Sequence, residues 1–234
     1  MTTRRRLAPL AACLTLAAIL PCPLAAQELF DRGVFVISVG GSEVGREEFA
    51  LRPGTGRGAA GGGLLAVSTT RTQGREIQRA LEVTREYVPL SFQQTETAGG
   101  RVVARVSAQL AGIRFSARIT SQDGETAREF PVRPPAIILS DESYAAFYFV
   151  PRPDQGQRQI AVVNPATARS AAGTVEALGD DTVLVAEQRL PARRFRLTVS
   201  GAERHYWFTP SGDLLQVAEP ARSLVATRAE LPRH

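Results

Sequence analysis

Lysine is absent from this sequence, and all 28 basic residues are arginine. Arginine does not titrate near neutrality, so the positive charge is fixed across the physiological range. Cysteine occurs only at Cys13 and Cys22, both near the start. Beyond residue 26 there is no disulfide, no thiolate nucleophile and no thiolate metal site. Methionine occurs only as Met1, and histidine only as His205 and His234. A histidine-rich metal centre is therefore excluded; carboxylates would have to supply nearly every ligand, so no metal and no cofactor is assigned. Aromatics make up 6% of the chain, and the arginines are spread along it. A nucleic-acid footprint needs a concentrated basic patch with interleaved aromatics, so no nucleic-acid partner is expected. After the first 26 residues no apolar run is long enough to span a bilayer as a helix.

The opening carries its own signal. Arg4, Arg5 and Arg6 precede an apolar stretch from Leu10 to Leu20, and Leu24-Ala25-Ala26 offers small residues before Gln27. That is the layout of a secretory signal peptide over residues 1–26, which places the remaining chain in the periplasm, the cell envelope or outside the cell. Cleavage after Ala26 removes three arginines and no acid, taking the net charge from +5 to +2. Leu10-Ala11-Ala12-Cys13 has the outline of a lipoprotein box, but the hydrophobic stretch continues well past it.

After residue 30 the pattern is dominated by period two. Ile113, Phe115, Ala117 and Ile119 oppose Arg114, Ser116, Arg118 and Thr120; Val102, Ala104, Val106 and Ala108 form another apolar face; Phe195, Leu197 and Val199 oppose Arg194, Arg196 and Thr198. Such alternation reads as antiparallel strands with one face in a core and arginines turned to water. Gly40-Gly41, Gly99-Gly100, Asp123-Gly124, Gly179-Asp180-Asp181 and Ser211-Gly212-Asp213 each separate two strand-like runs. Strands are predicted near 33–40, 43–51, 64–72, 75–84, 87–97, 101–110, 112–121 and 125–131, then near 158–164, 172–178, 181–190, 193–200, 203–209, 213–219 and 222–229. The expected fold is all-β: one large curved antiparallel sheet, a half-barrel or open barrel, forming a single β-rich domain over 27–234.

One segment departs from that pattern. Ser140 precedes Asp141 and Glu142 as an N-cap would, Leu139 and Tyr144 stand at staple spacing, and Tyr144, Phe147 and Tyr148 share a helical face. A short covering helix is predicted near 141–149, inside a Pro-rich hinge near 131–153.

Gly56, Gly58 and Gly61 match G-x-G-x-x-G, but a strand-like run follows where the phosphate motif needs a helix, so the stretch reads as a loop. His205 has Glu203, Ser211 and Asp213 nearby in sequence, yet no G-x-S-x-G elbow occurs. Glu47-Glu48, Asp141-Glu142 and Asp180-Asp181 are adjacent pairs, whose members point to opposite faces on a strand. The aromatic clusters carry more. If the helix covers the concave side of the sheet, Tyr144, Phe147, Tyr148 and Trp207 would line an apolar cavity.

Three patches carry a resemblance: Val44-Gly45-Arg46-Glu47-Glu48-Phe49, Tyr87-Val88-Pro89-Leu90, and Tyr206-Trp207-Phe208-Thr209-Pro210-Ser211-Gly212-Asp213-Leu214-Leu215-Gln216-Val217. Through them the chain resembles a family of uncharacterised exported bacterial proteins, a domain of unknown function. Its layout is also distantly similar to periplasmic lipoprotein-carrier half-barrels, a comparison that implies a curved antiparallel sheet with helical cover and room for a lipophilic cavity, and that transfers no catalytic residues. The functional reading is a non-enzymatic envelope protein that binds a lipid or other apolar small molecule. A structural or interaction module without a cavity is the first alternative, and an exported hydrolase using His205 or a carboxylate pair the second. Small alanines on the apolar faces argue against an outer-membrane barrel.

Overall fold

The computed structural model describes residues 29–54 and 62–232. The expected signal peptide and the glycines Gly56, Gly58 and Gly61 lie outside the described residues. Among the described residues fifteen strands form one sheet. The first eight are β1 (Asp31–Val39), β2 (Ser42–Pro53), β3 (Leu64–Thr72), β4 (Arg75–Val83), β5 (Pro89–Ala98), β6 (Arg101–Ala111), β7 (Arg114–Ser121) and β8 (Gly124–Pro131). After the short β9 (Ala136–Ile138) come β10 (Gln157–Asn164), β11 (Arg169–Val185), β12 (Gln188–Val199), β13 (Ala202–Phe208), β14 (Leu214–Glu219) and β15 (Leu224–Arg228). Tight turns join many of them. Gly40-Gly41 and Gly99-Gly100 place both central residues at positive φ, the geometry that matches strand twist in two-residue hairpins.

The order β8-β7-β6-β5-β4-β3-β2-β1-β15-β14-β13-β12-β11-β10-β9 describes two meanders joined where β1 pairs with β15. All neighbours are antiparallel except β9 and β10. Topology alone requires the sheet to curl. Laid flat, fifteen strands would span about 67 Å at about 4.8 Å per spacing. The two outermost strands, β8 and β9, are joined by residues 132–135, whose reach is at most about 18 Å. The edges must come near each other, and the result is an open, barrel-like shell.

The concave face is apolar. Phe35, Phe49, Leu81, Phe92, Phe115, Phe195 and Tyr206 all face one continuous core. Residues 136–150 run inside the shell and complete that core, with every residue from Ala145 to Phe149 buried. A second, smaller cluster lies elsewhere. Past a bulge at Ala177/Gly179, the extended β11–β12 hairpin brings Val183, Val185 and Ala192 against Trp207, Leu215 and Ala218.

Four sequence expectations need correction. The covering helix is a five-residue 3-10 turn, Ala145–Phe149, without a side-chain cap. Glu142 sits at φ 56°, which breaks any helix begun at Asp141. Ser140 Oγ does not cap; it accepts from Arg79 Nε at 3.1 Å, and Glu47 Oε2 from β2 takes the Tyr144 and Ala145 amides at 2.7 and 3.2 Å. Gly179-Asp180-Asp181 is not a turn. It is the bulge that lets one strand continue to Val185, and the hairpin turns at Ala186-Glu187, both at positive φ. Ile113 falls in a turn and Val102 lies beside a register shift between β5 and β6, so both are exposed. Finally, two arginines point inward: Arg228 is 2% and Arg79 6% exposed.

Candidate functional site

Strand direction gathers several chain segments at one end of the shell. The start of β1, the end of β2, the start of β3 and the β4–β5 loop all lie there, with the β13–β14 turn and the exit of the 3-10 turn. Between them opens a cleft of about 610 Å³. Leu51, Leu64 and Phe149 give it apolar walls, Tyr148 its floor, and Arg85 and Arg152 its cationic groups. Phe30 and Tyr87 stand at the rim, 53% and 37% exposed, next to the exposed Leu29 and Val88.

Tyr87 holds an unusual conformation. Its φ is 64°, and a bulky aromatic in the left-handed region is a genuine outlier. Such strain persists where surrounding structure over-determines it, and it clusters at ligand clamps. Here the Thr84 carbonyl accepts the Tyr87 amide at 3.0 Å, and the ring rests 5.8 Å from that of Phe149.

The cleft floor is rigid. Arg228 donates from Nη1 to Asp31 Oδ2 and from Nη2 to Asp31 Oδ1, each at 2.7 Å, and again from Nη2 to the Arg32 carbonyl at 2.7 Å. Tyr148 donates its hydroxyl hydrogen to Asp31 and accepts the Leu214 amide at 3.0 Å. Burial, with the Asp31 charge beside it, pushes the Tyr148 phenol well above its ordinary pKa, so it stays protonated. Gly33 makes room for this arrangement, since a Cβ there would stand 3.1 Å from Arg228 Nη2.

Deeper in the shell a polar group ties the covering segment to the sheet. Arg79 donates to Gln94 Oε1, Ser140 Oγ, Thr70 Oγ1 and the Asp141 carbonyl at 2.8–3.1 Å. Thr70 in turn donates to the Glu142 carbonyl at 3.2 Å. Burial raises the Glu47 pKa against the opposing charge of Arg79, and burial likewise lowers that of Arg79. Glu47 is inside and Glu48 outside, paired with Arg71, as adjacent strand positions require.

The four aromatics expected to line a cavity are not brought together. Tyr148 forms the cleft floor. Tyr144 and Phe147 fill the core, Phe147 against Tyr206 at 5.5 Å, so the space beneath 140–150 is packed. Trp207 lies in the second cluster, its Nε1 donating to Asp181 at 2.8 Å. Alternation along β13 explains the separation: Tyr206 and Phe208 join the main core, and Trp207 between them faces the other way. His205 shares that face, with Nδ1 against the Arg194 guanidinium and Nε2 3.4 Å from Glu203. Burial lowers its pKa. Ser211 and Asp213 are bonded to each other and to Thr209, and neither is bonded to His205. Among the described residues no cluster of His, Cys, Asp and Glu is grouped to hold a metal ion, and no helix is long and apolar enough to cross a membrane.

Sequence reasoning missed Asp31, Arg228, Arg85 and Arg152. Only Tyr87 and the 211–213 turn fell within the patches singled out beforehand.

No protein-family model matches the chain, and no curated protein matches it. Among solved structures it is similar to a beta-barrel-like protein of the domain of unknown function DUF1849 from Brucella abortus. The TM-score is 0.53 over 88% of this chain and 98% of that one, at 12% sequence identity. The likeness is one of fold: a barrel-like shell whose activity the comparison does not carry over.

Proposed function

We propose that this barrel-like protein is an exported, non-enzymatic envelope protein that binds an apolar or amphipathic small molecule at the open end of its shell. The cleft floored by Tyr148 is the observation that carries this reading. Its volume of about 610 Å³ lies within the usual range for small-molecule sites, and its lining sets the apolar Leu51, Leu64 and Phe149 beside polar groups of Asp31, Arg85, Arg152, Ser211 and Asp213. The strained Tyr87 and the exposed Phe30 at the rim support it, because neither is needed to complete the core. The arginine-led, apolar opening of the sequence supports export.

The test is a titration of the purified chain from Gln27 onward with N-phenyl-1-naphthylamine, a neutral apolar dye that brightens in dry surroundings. Saturable binding of one dye per chain is expected. A linear, unsaturable response from the folded protein would overturn the proposal.

A further inference from the structure

We infer that the guest of this cleft is an anionic amphiphile, one apolar tail bearing a compact carboxylate or phosphate head, with Arg152 and Arg85 receiving the head. This rests on reading the cleft as a binding site.

Many arginines of this chain are matched with acids, though others, such as Arg101 and Arg105, form no ion pair among the described residues. Arg71 meets Glu48 and Glu76, Arg75 meets Glu96 and Glu142, Arg196 meets Glu176 and Glu203, and Arg204 meets Asp141 and Glu219. The cleft is different. Its carboxylates are already engaged: Asp31 by Arg228 and Tyr148, Asp213 by the hydroxyls of Thr209 and Ser211. Neither Arg85 nor Arg152 forms an ion pair among the described residues. Arg152 lies over the Phe208 ring at 4.2 Å and makes one long hydrogen bond, 3.4 Å to the Gly212 carbonyl. A guanidinium has five N–H donors, so most of its capacity is unspent.

The charges lining the cleft sum to a surplus. Arg85 and Arg152 are positive and Asp213 is negative, while Asp31 is neutralised by Arg228. One positive charge remains beside the apolar walls of Leu51, Leu64 and Phe149. Low-dielectric walls focus such a charge on what enters. A guanidinium fork matches a carboxylate or phosphate with two parallel hydrogen bonds, which a neutral alcohol or sugar head does not reproduce. The tail would lie along the apolar walls toward Tyr148, and the head would stay at the arginines.

The test uses the purified chain from Gln27 onward with the dye bound. Dodecanoate, dodecyl phosphate, 1-dodecanol and inorganic phosphate compete for the site in turn. The two anionic amphiphiles should displace the dye at least tenfold more effectively than the alcohol, and inorganic phosphate alone should not displace it. In an Arg85→Gln/Arg152→Gln variant the ratio of acid to alcohol should fall toward one; in Arg152→Lys, which keeps the charge, part of the preference should remain. Equal displacement by acid and alcohol overturns this inference while leaving a ligand site in place. Displacement by inorganic phosphate alone also overturns it, marking a site for free anions. Failure of the dye itself to bind removes the underlying reading instead.

Discussion

Arg228 and Asp31 meet through two hydrogen bonds of 2.7 Å across 197 positions of sequence. The pair spans the junction of β1 and β15, where the two meanders become one sheet. Its geometry is the two-pronged arrangement that makes an arginine–carboxylate contact strong. Burial alone would lower the Arg228 pKa, but the hydrogen bonds to Asp31 and Tyr148 and the neighbouring charge of Asp31 outweigh it and leave the pKa raised.

Removing one partner should therefore cost far more than removing both. Asp31→Ala leaves a guanidinium buried without its anion, with Nε already lacking a hydrogen-bond partner. The expected loss is about 3–5 kcal/mol of folding free energy. Asp31→Leu combined with Arg228→Met should lose much less. Urea unfolding of the three proteins checks this, and a single variant as stable as the parent would contradict it.

Glu47 should make the fold sensitive to alkali. Burial raises its pKa in the folded chain, so the native state holds the proton to higher pH than the unfolded chain does. Its contribution is complete below the ordinary carboxylate range and is lost as pH climbs through the raised folded value, with a slope approaching about 1.4 kcal/mol per pH unit. The facing charges are Arg79 and, through Arg75, Glu142. Glu47→Gln keeps an acceptor for the Tyr144 and Ala145 amides but cannot ionise. It should flatten the dependence and be relatively more stable on the alkaline side, as measured by urea unfolding across pH 5 to 9.

Tyr87→Gly should separate stability from binding. Relief of the left-handed backbone is worth about 1–2 kcal/mol, and the lost ring contact with Phe149 costs about 0.5–1.5 kcal/mol. Folding stability should thus change by no more than about 1.5 kcal/mol. Dye affinity should fall about tenfold, the equivalent of about 1.4 kcal/mol of apolar contact. Thermal melting and dye titration of the same sample give both numbers.

Much of the sheet was legible because alternation is a local signal. Phe195, Leu197 and Val199 read as one face, and the main core contains all three or packs against them. Turns were legible where glycines mark them. They failed at Gly179, where a glycine at φ 98° makes a bulge, and at Ala186-Glu187, where neither residue type advertises a left-handed turn. Side-chain sidedness failed where partners are remote. Nothing near Arg228 in sequence announces Asp31, and nothing near Arg79 announces Ser140, so both looked like solvated arginines. The cleft was hidden for the same reason. Its lining comes from six separated stretches that only the curl of the sheet assembles; Tyr148 stood out because it lies in an aromatic run, and Tyr87 and the 211–213 turn because they lie in the patches singled out.

The four residues linking β8 to β9 act as a leash across the seam of the shell. Unrolling the wall would pull this leash taut before the other ladders were strained, so the circumference is nearly fixed. Under the proposed binding role, a bulkier guest would be accommodated by the loops bearing Phe30 and Tyr87 and not by widening the wall, so girth, more than length, would be the dimension of selection.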